Sequence, residues 1–178
     1  MLLCPLQNTA KKRPDGSWET VRPYITQKFG GNPQMYQQFG MKGHSGIDLR
    51  AAVGVPVFAA HDGIADVIFS DTGYGLHIKI RSEHNARETV YAHLSRVSDK
   101  VSKHKFPEVS MGDLIGWTGN TGYSTAAHFH FGLRRLIPDE GGIFTWKVQD
   151  WSNGYSGWID PIEYMITFKG TLVKSDLK

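Results

Sequence analysis

The residues best suited to chemistry lie in Ala126-Ala127-His128-Phe129-His130-Phe131-Gly132. In an extended strand successive side chains alternate faces at ~3.3 Å per residue. His128 and His130 therefore project together, ~6.5 Å apart, while Phe129, Phe131 and Leu133 point the other way. A hydrophobic core gains nothing from adjacent imidazoles, whereas a metal or proton-transfer site does. A second cluster, Gly43-His44-Ser45-Gly46-Ile47-Asp48, adds a histidine and a carboxylate. Alternation sets His44 and Asp48 on one side, but a straight strand holds them ~13 Å apart, so a bend at Gly46 is expected. Two histidines and a carboxylate make a three-donor set. Around zinc that leaves a fourth position open to water, which means catalysis more often than structural support.

The elements that must position these groups read as short strands. Tyr24–Phe29 alternates into the turn Gly30-Gly31-Asn32-Pro33, and further runs carry Val55, Val57 and Ala59; Ala65, Val67 and Phe69; Leu76, Ile78 and Ile80; and Val90, Ala92 and Leu94. Asp62-Gly63, Asp71-Thr72-Gly73-Tyr74-Gly75 and Ser82-Glu83-His84-Asn85 separate them. Alternating strands with turns at this spacing predict a mostly β fold, an antiparallel β-sandwich or open barrel with a groove for the site and little helix. Pro161–Met165 alone reads as a helical turn. In the Val90/Ala92/Leu94 run, Thr89, Tyr91 and His93 take the opposite face, which is expected to be the groove side. Three domain segments are expected: an irregular lead-in over 1–23, the main domain over 24–168, and a tail over 169–178. Within the main domain, a loop over 136–159 carries Trp146, Trp151, Tyr155 and Trp158, which either border the groove or cap the core edge.

Composition narrows the function. The chain of 178 residues fits one domain with a sizeable core, and 40% hydrophobic with 21% charged residues is globular. A net charge of +3, with basic residues mostly scattered, is too weak a footprint for nucleic-acid binding but suits an anionic polymer such as a bacterial wall. Cys4 is the only cysteine, so an intrachain disulfide and a cysteine-based metal knuckle are excluded. No apolar run reaches the ~20 residues of a membrane helix, so no membrane insertion is expected. The start is too short in apolar residues for a signal peptide.

Several motifs in one order resemble a known family, the lysostaphin/LytM-type zinc endopeptidases. They are Ile25-Thr26-Gln27-Lys28-Phe29-Gly30, Gly43–Asp48, Gly54–Ala59, Asp62-Gly63, Tyr91-Ala92-His93-Leu94, Gly112-Asp113-Leu114-Ile115-Gly116 and Gly119–Ser124 leading into His128–Phe131. The similarity spans about 24–133, and Ile159-Asp160-Pro161 is similar to the family's closing segment. The chain departs from the family at Gly132, where an acid is common, which leaves more room on that face, and at Ala126-Ala127, which lacks the usual proline.

The resemblance implies a peptidoglycan endopeptidase cutting a stem-peptide cross-link or an interpeptide bridge. A monomer is expected, and for such an enzyme the missing signal peptide suggests a virus-borne lysin, a virion-associated enzyme or an excised domain of an exported protein. The resemblance also implies that His44, Asp48 and His130 bind one Zn2+ and that His93 and His128 are the catalytic histidines beside the metal water. One alternative is a non-catalytic relative that binds cell wall or a partner protein, although such proteins typically lack metal ligands. A non-haem iron oxygenase also uses two histidines and a carboxylate, but its first pair usually sits closer, as His-x-Asp/Glu. The remaining histidines, His61, His77, His84 and His104, are expected to be solvated or structural.

Overall fold

The computed structural model describes residues 1–21, 23–140 and 145–166. In chain order the strands are β1 (Leu2–Leu3), β2 (Thr9–Lys12), β3 (Trp18–Val21), β4 (Ile25–Gln27), β5 (Ile47–Arg50), β6 (Pro56–Phe58), β7 (Gly63–Ile68) and β8 (His77–Ser82). They continue as β9 (Arg87–Ala92), β10 (Leu94–Val97), β11 (Glu108–Val109), β12 (Leu114–Thr118), β13 (His128–Pro138), β14 (Trp146–Val148), β15 (Trp158–Ile159) and β16 (Met165–Ile166). Helix among the described residues is confined to single turns, including one at Ile162–Tyr164 that follows Pro161 as expected.

Nine strands form one sheet in the order β11-β7-β8-β9-β13-β5-β4, with β14 and β15 also paired to β13. A second sheet, β10-β12-β6, lies across its inner face, and the two enclose the core. Nearly all pairings are antiparallel and the described residues form no closed barrel, so the expected mostly β, sandwich-like class holds. Period-two alternation drives the arrangement. In β13, Phe129 and Phe131 are fully buried on the inner side, where each stabilises by about 1.5–3 kcal/mol. Ile47 and Leu49 of β5 and Ile78 and Ile80 of β8 join them.

Two expectations need correction. The stretch 1–23 is not an irregular lead-in. Leu2, Leu3, Cys4 and Leu6 are buried, β1 pairs in parallel with β16, and β2 pairs with β3. Leu3 N–H donates to Ala60 O at 2.8 Å and Phe58 N–H to Pro5 O at 2.9 Å, so this strap is a piece of the core. Burial pushes the Cys4 thiol up to about 11, which keeps it inert. The second correction concerns β9. Thr89 and Tyr91 face the core and Val90 and Ala92 face the groove, because β9 is buried on both sides and its apolar alternation does not mark the core face. The expected tail over 169–178 lies outside the described residues.

His84 and His104 are exposed, while His61 and His77 are buried and structural. His61 Nδ1–H donates to Asp62 O at 2.8 Å. From its Nε2 a hydrogen-bonded chain runs through Thr89 Oγ1 (2.9 Å) and Tyr91 OH (3.0 Å) to the Ala60 N–H (2.8 Å). Burial pushes His61 down to about 4. Between pH 6.5 and 4 the unfolded chain therefore holds a proton that the folded one refuses, so stability is full above 6.5 and falls as the pH drops toward 4. The loss approaches roughly 3 kcal/mol. In thermal melts across that range, His61→Gln should be less stable at pH 7 and show a shallower decline than wild type. Equal slopes would refute the assignment.

Candidate metal centre

His130 of β13 stands directly opposite Asp48 of β5, and the same register sets Phe129 against Leu49. Both functional groups thus face outward from the sheet while their neighbours fill the core. His44 arrives from the loop before β5. That loop is pinned to the segment after β4 by Gly30 N–H donating to His44 O and His44 N–H to Gly31 O, both at 2.9 Å. Backbones approach so closely here that a Cβ on Gly43 would lie 2.4 Å from Gly30 O. Gly46 does bring His44 to Asp48, but through space: a Cβ there would sit 2.3 Å from Phe131 O and 2.9–3.0 Å from the His130 ring.

The result is a compact triad. His44 Nε2 lies 2.9 Å from His130 Nδ1 and 3.1 Å from Asp48 Oδ1, and His130 Nδ1 lies 3.0 Å from the same Oδ1. All three residues are buried. His44 is fixed as a lone-pair donor at Nε2 because its Nδ1–H donates to Lys28 O at 3.2 Å. Burial raises the Asp48 carboxyl pKa, but the His130 and His44 imidazoles packed against it outweigh that and hold it well below the usual carboxylate range. Burial also pushes His130 down, against the pull of Asp48, so the ring is neutral. His130 Nε2 is buried with no partner among the described residues, which leaves Nδ1 as the ring's engaged atom. A carboxylate and two imidazoles that converge within 3.1 Å match the donor set of one ion bound at roughly 2.0–2.2 Å.

His93 and His128 stand beside the triad. Their rings are 4.6 Å apart, and His128 Nε2 is 3.8 Å from Asp48 Oδ1. Each donates its Nδ1–H to a backbone carbonyl at 2.8 Å, Thr121 O for His93 and Ala126 O for His128, which leaves Nε2 free to accept a proton. Burial pushes His93 down to about 4. His93 reaches the groove by breaking alternation. Its φ of +57° inverts the chain between Ala92 and Leu94, so that Leu94 turns into the core. The Gly73-Tyr74-Gly75 and Thr121-Gly122 turns brace this kink: His93 N–H donates to Tyr74 O at 2.9 Å, and Gly122 packs against Gly75 where a Cβ would meet its nitrogen at 2.3 Å.

The triad lies at the floor of a groove of about 640 Å³, walled by Tyr36, Phe39, Tyr123, Trp151 and Trp158 among others. The tryptophan loop serves both roles considered for it, since Trp151 is 60% exposed on the groove and Trp158 is buried. Gly132 leaves no spare room, contrary to expectation. The Trp158 ring fills it, 3.1 Å from where a Cβ would stand. Tyr74 packs beside the triad, its ring 5.2 Å from that of His130 and its hydroxyl sharing a hydrogen bond with Ser45 at 3.1 Å. Sequence reasoning missed Arg134, although Arg134 continues the His128/His130 alternation.

A three-donor cluster open to a groove is the arrangement of a mononuclear metallohydrolase. The Peptidase family M23 pattern matches residues 42–142, more than half of the chain, and the chain belongs to that family. The glycyl-glycine endopeptidase ALE-1 of Staphylococcus capitis is 39% identical over 89 residues, 49% of this chain and 24% of the relative. The DD-carboxypeptidase/endopeptidase Mpg of Neisseria meningitidis serogroup B is 41% identical over 91 residues, 51% of this chain and 20% of the relative. The matches thus span no more than about a quarter of these relatives. Among solved structures, lysostaphin of Staphylococcus simulans superposes with a TM-score of 0.58 at 27% identity, covering 79% of this chain and 48% of that one. A mutant catalytic domain of the prophage-encoded M23 protein EnpA of Enterococcus faecalis gives 0.55 at 28%, covering 78% and 88%.

Gly46→Ala should leave the far-ultraviolet circular dichroism unchanged and weaken transition-metal affinity tenfold or more, read by competition with a chromophoric chelator. Unchanged affinity would show that the crowding at Gly46 does not position the His130 ring.

Proposed function

We propose that this chain is the catalytic domain of a zinc-dependent endopeptidase that hydrolyses peptide bonds of bacterial peptidoglycan. In this reading His44, Asp48 and His130 hold one zinc ion, and His93 and His128 are catalytic. The observation that carries it is the convergence of His44 Nε2, Asp48 Oδ1 and His130 Nδ1 on the groove floor beside two histidines with uncommitted Nε2 atoms. Membership of the M23 family and the peptidase names of its relatives support the same reading.

Bound zinc supplies a Lewis acid that polarises a carbonyl and lowers the pKa of a coordinated water from 15.7 to about 7. The protein's own groups do the rest. The groove lays the peptide across the floor and excludes bulk water. One of His93, neutral through the physiological range, and His128 accepts the proton of the attacking water at Nε2; the Nε2–H it gains faces the charge that develops on the tetrahedral carbon's oxygen and then passes to the leaving amine. Thr121 O and Ala126 O hold both rings in the tautomer this requires.

Purified peptidoglycan incubated with wild type should release fragments with new amine and carboxylate ends in mass spectrometry. His130→Ala should release none. A chelator should abolish release, and zinc, but not magnesium, should restore it. Identical fragments from wild type and His130→Ala would sink the assignment.

His93→Ala and His128→Ala should each lower kcat by about 10²–10⁴ while metal content, read by elemental analysis, stays near one ion per chain. Loss of the ion in either variant would instead make that histidine a ligand.

A further inference from the structure

Arg134 lies four residues beyond His130 on the same strand and face, ~13 Å along β13. Aromatic rings span that distance. Tyr74 packs on His130 at 5.2 Å, Trp158 on Tyr74 at 6.3 Å, and the Arg134 guanidinium sits 3.9 Å from the Trp158 ring and 5.0 Å from the exposed Trp151 ring. Gly132 lets the Trp158 ring pack against the strand between them. Arg134 lines the same groove as the triad, with 11% of its side chain exposed.

A guanidinium carries five N–H donors and no acceptor. Among the described residues, the side-chain hydrogen bond of Arg134 runs from Nη1 to Glu88 Oε1 at 3.3 Å, long for a charge-assisted pair, and Nε is buried without a partner. Leaving a buried charged donor unmatched is costly, so a cation kept this way between two rings is poised for a further acceptor. Its planar fork matches a carboxylate, and the tryptophans that exclude water strengthen the attraction.

We propose that Arg134 is a specificity residue that takes a free carboxylate of the bound peptide three to four residues from the cut bond. This rests on the reading of the groove as a peptidoglycan-peptide site. It favours stem peptides, which carry such carboxylates, over a glycine bridge, whose interior offers only backbone amides.

The test is equilibrium binding to the metal-loaded full chain, read by tryptophan fluorescence, which Trp151 and Trp158 place beside Arg134. The probes are the stem tripeptide L-alanyl-γ-D-glutamyl-L-lysine and the same peptide with its carboxyls as primary amides. Wild type should bind the acid at least tenfold more tightly. Arg134→Gln should reduce that preference to within threefold, and Arg134→Lys should retain part of it. Should Arg134→Gln fail to fold, Glu88→Gln reports instead, because removing the competing carboxylate should raise the preference. Equal affinities in wild type, a preference that survives Arg134→Gln, or one unmoved by Glu88→Gln overturns the proposal. Hydrolysis of intact peptidoglycan is followed in parallel. Lost hydrolysis with the tenfold preference intact counts against the peptidase reading, and intact hydrolysis without the preference counts against Arg134 alone.

Discussion

The structure depends on the antiparallel register of β5 against β13. Setting Asp48 opposite His130 and Leu49 opposite Phe129 assigns one pair to the site and the other to the core. Because side chains alternate with period two, a slip of β5 by one residue would turn Asp48 into the core and Leu49 out of it, so the core enforces the register that sets Asp48 against His130. Stability and site geometry are thus set by the same strand pair.

Around this pair, loops act mainly through backbone carbonyls. Lys28 O, Thr121 O and Ala126 O each fix one imidazole by accepting its Nδ1–H, with Ser124 Oγ also 3.1 Å from His128 Nδ1, so three histidines present Nε2. This explains why glycines crowd the loops. Gly43 against Gly30, and Gly122 against Gly75, let main chains approach to distances that a Cβ forbids, which brings those carbonyls within reach. His130 differs, being engaged through Nδ1 and positioned by the Gly46 backbone pressed against its ring.

Much of this was legible in the sequence. Alternation through His128–Leu133 separated site from core, the turn spacing gave the fold class, and the two histidine motifs named residues that the fold does bring together. Other features resisted for physical reasons. Gly46 looked like a hinge because sequence shows flexibility more readily than crowding. The faces of β9 were read in reverse because Val90 and Ala92 pack under Trp158, a partner 66 residues away from Ala92 in sequence. The β1 strap was invisible since two-residue strands carry no period. Arg134 was in plain view, two steps beyond Gly132, but its stacking partners come from a loop with no regular pattern.

The left-handed backbone of His93 sets backbone ease against side-chain placement at a single position. An L-residue with a side chain gives up roughly 1–2 kcal/mol to occupy that conformation, and glycine would not. Glycine at 93 would relieve that strain but would lose the Nδ1–H bond to Thr121 O and the ring packed against His128. The kink is where the fold gives up backbone ease to hold an imidazole over the groove.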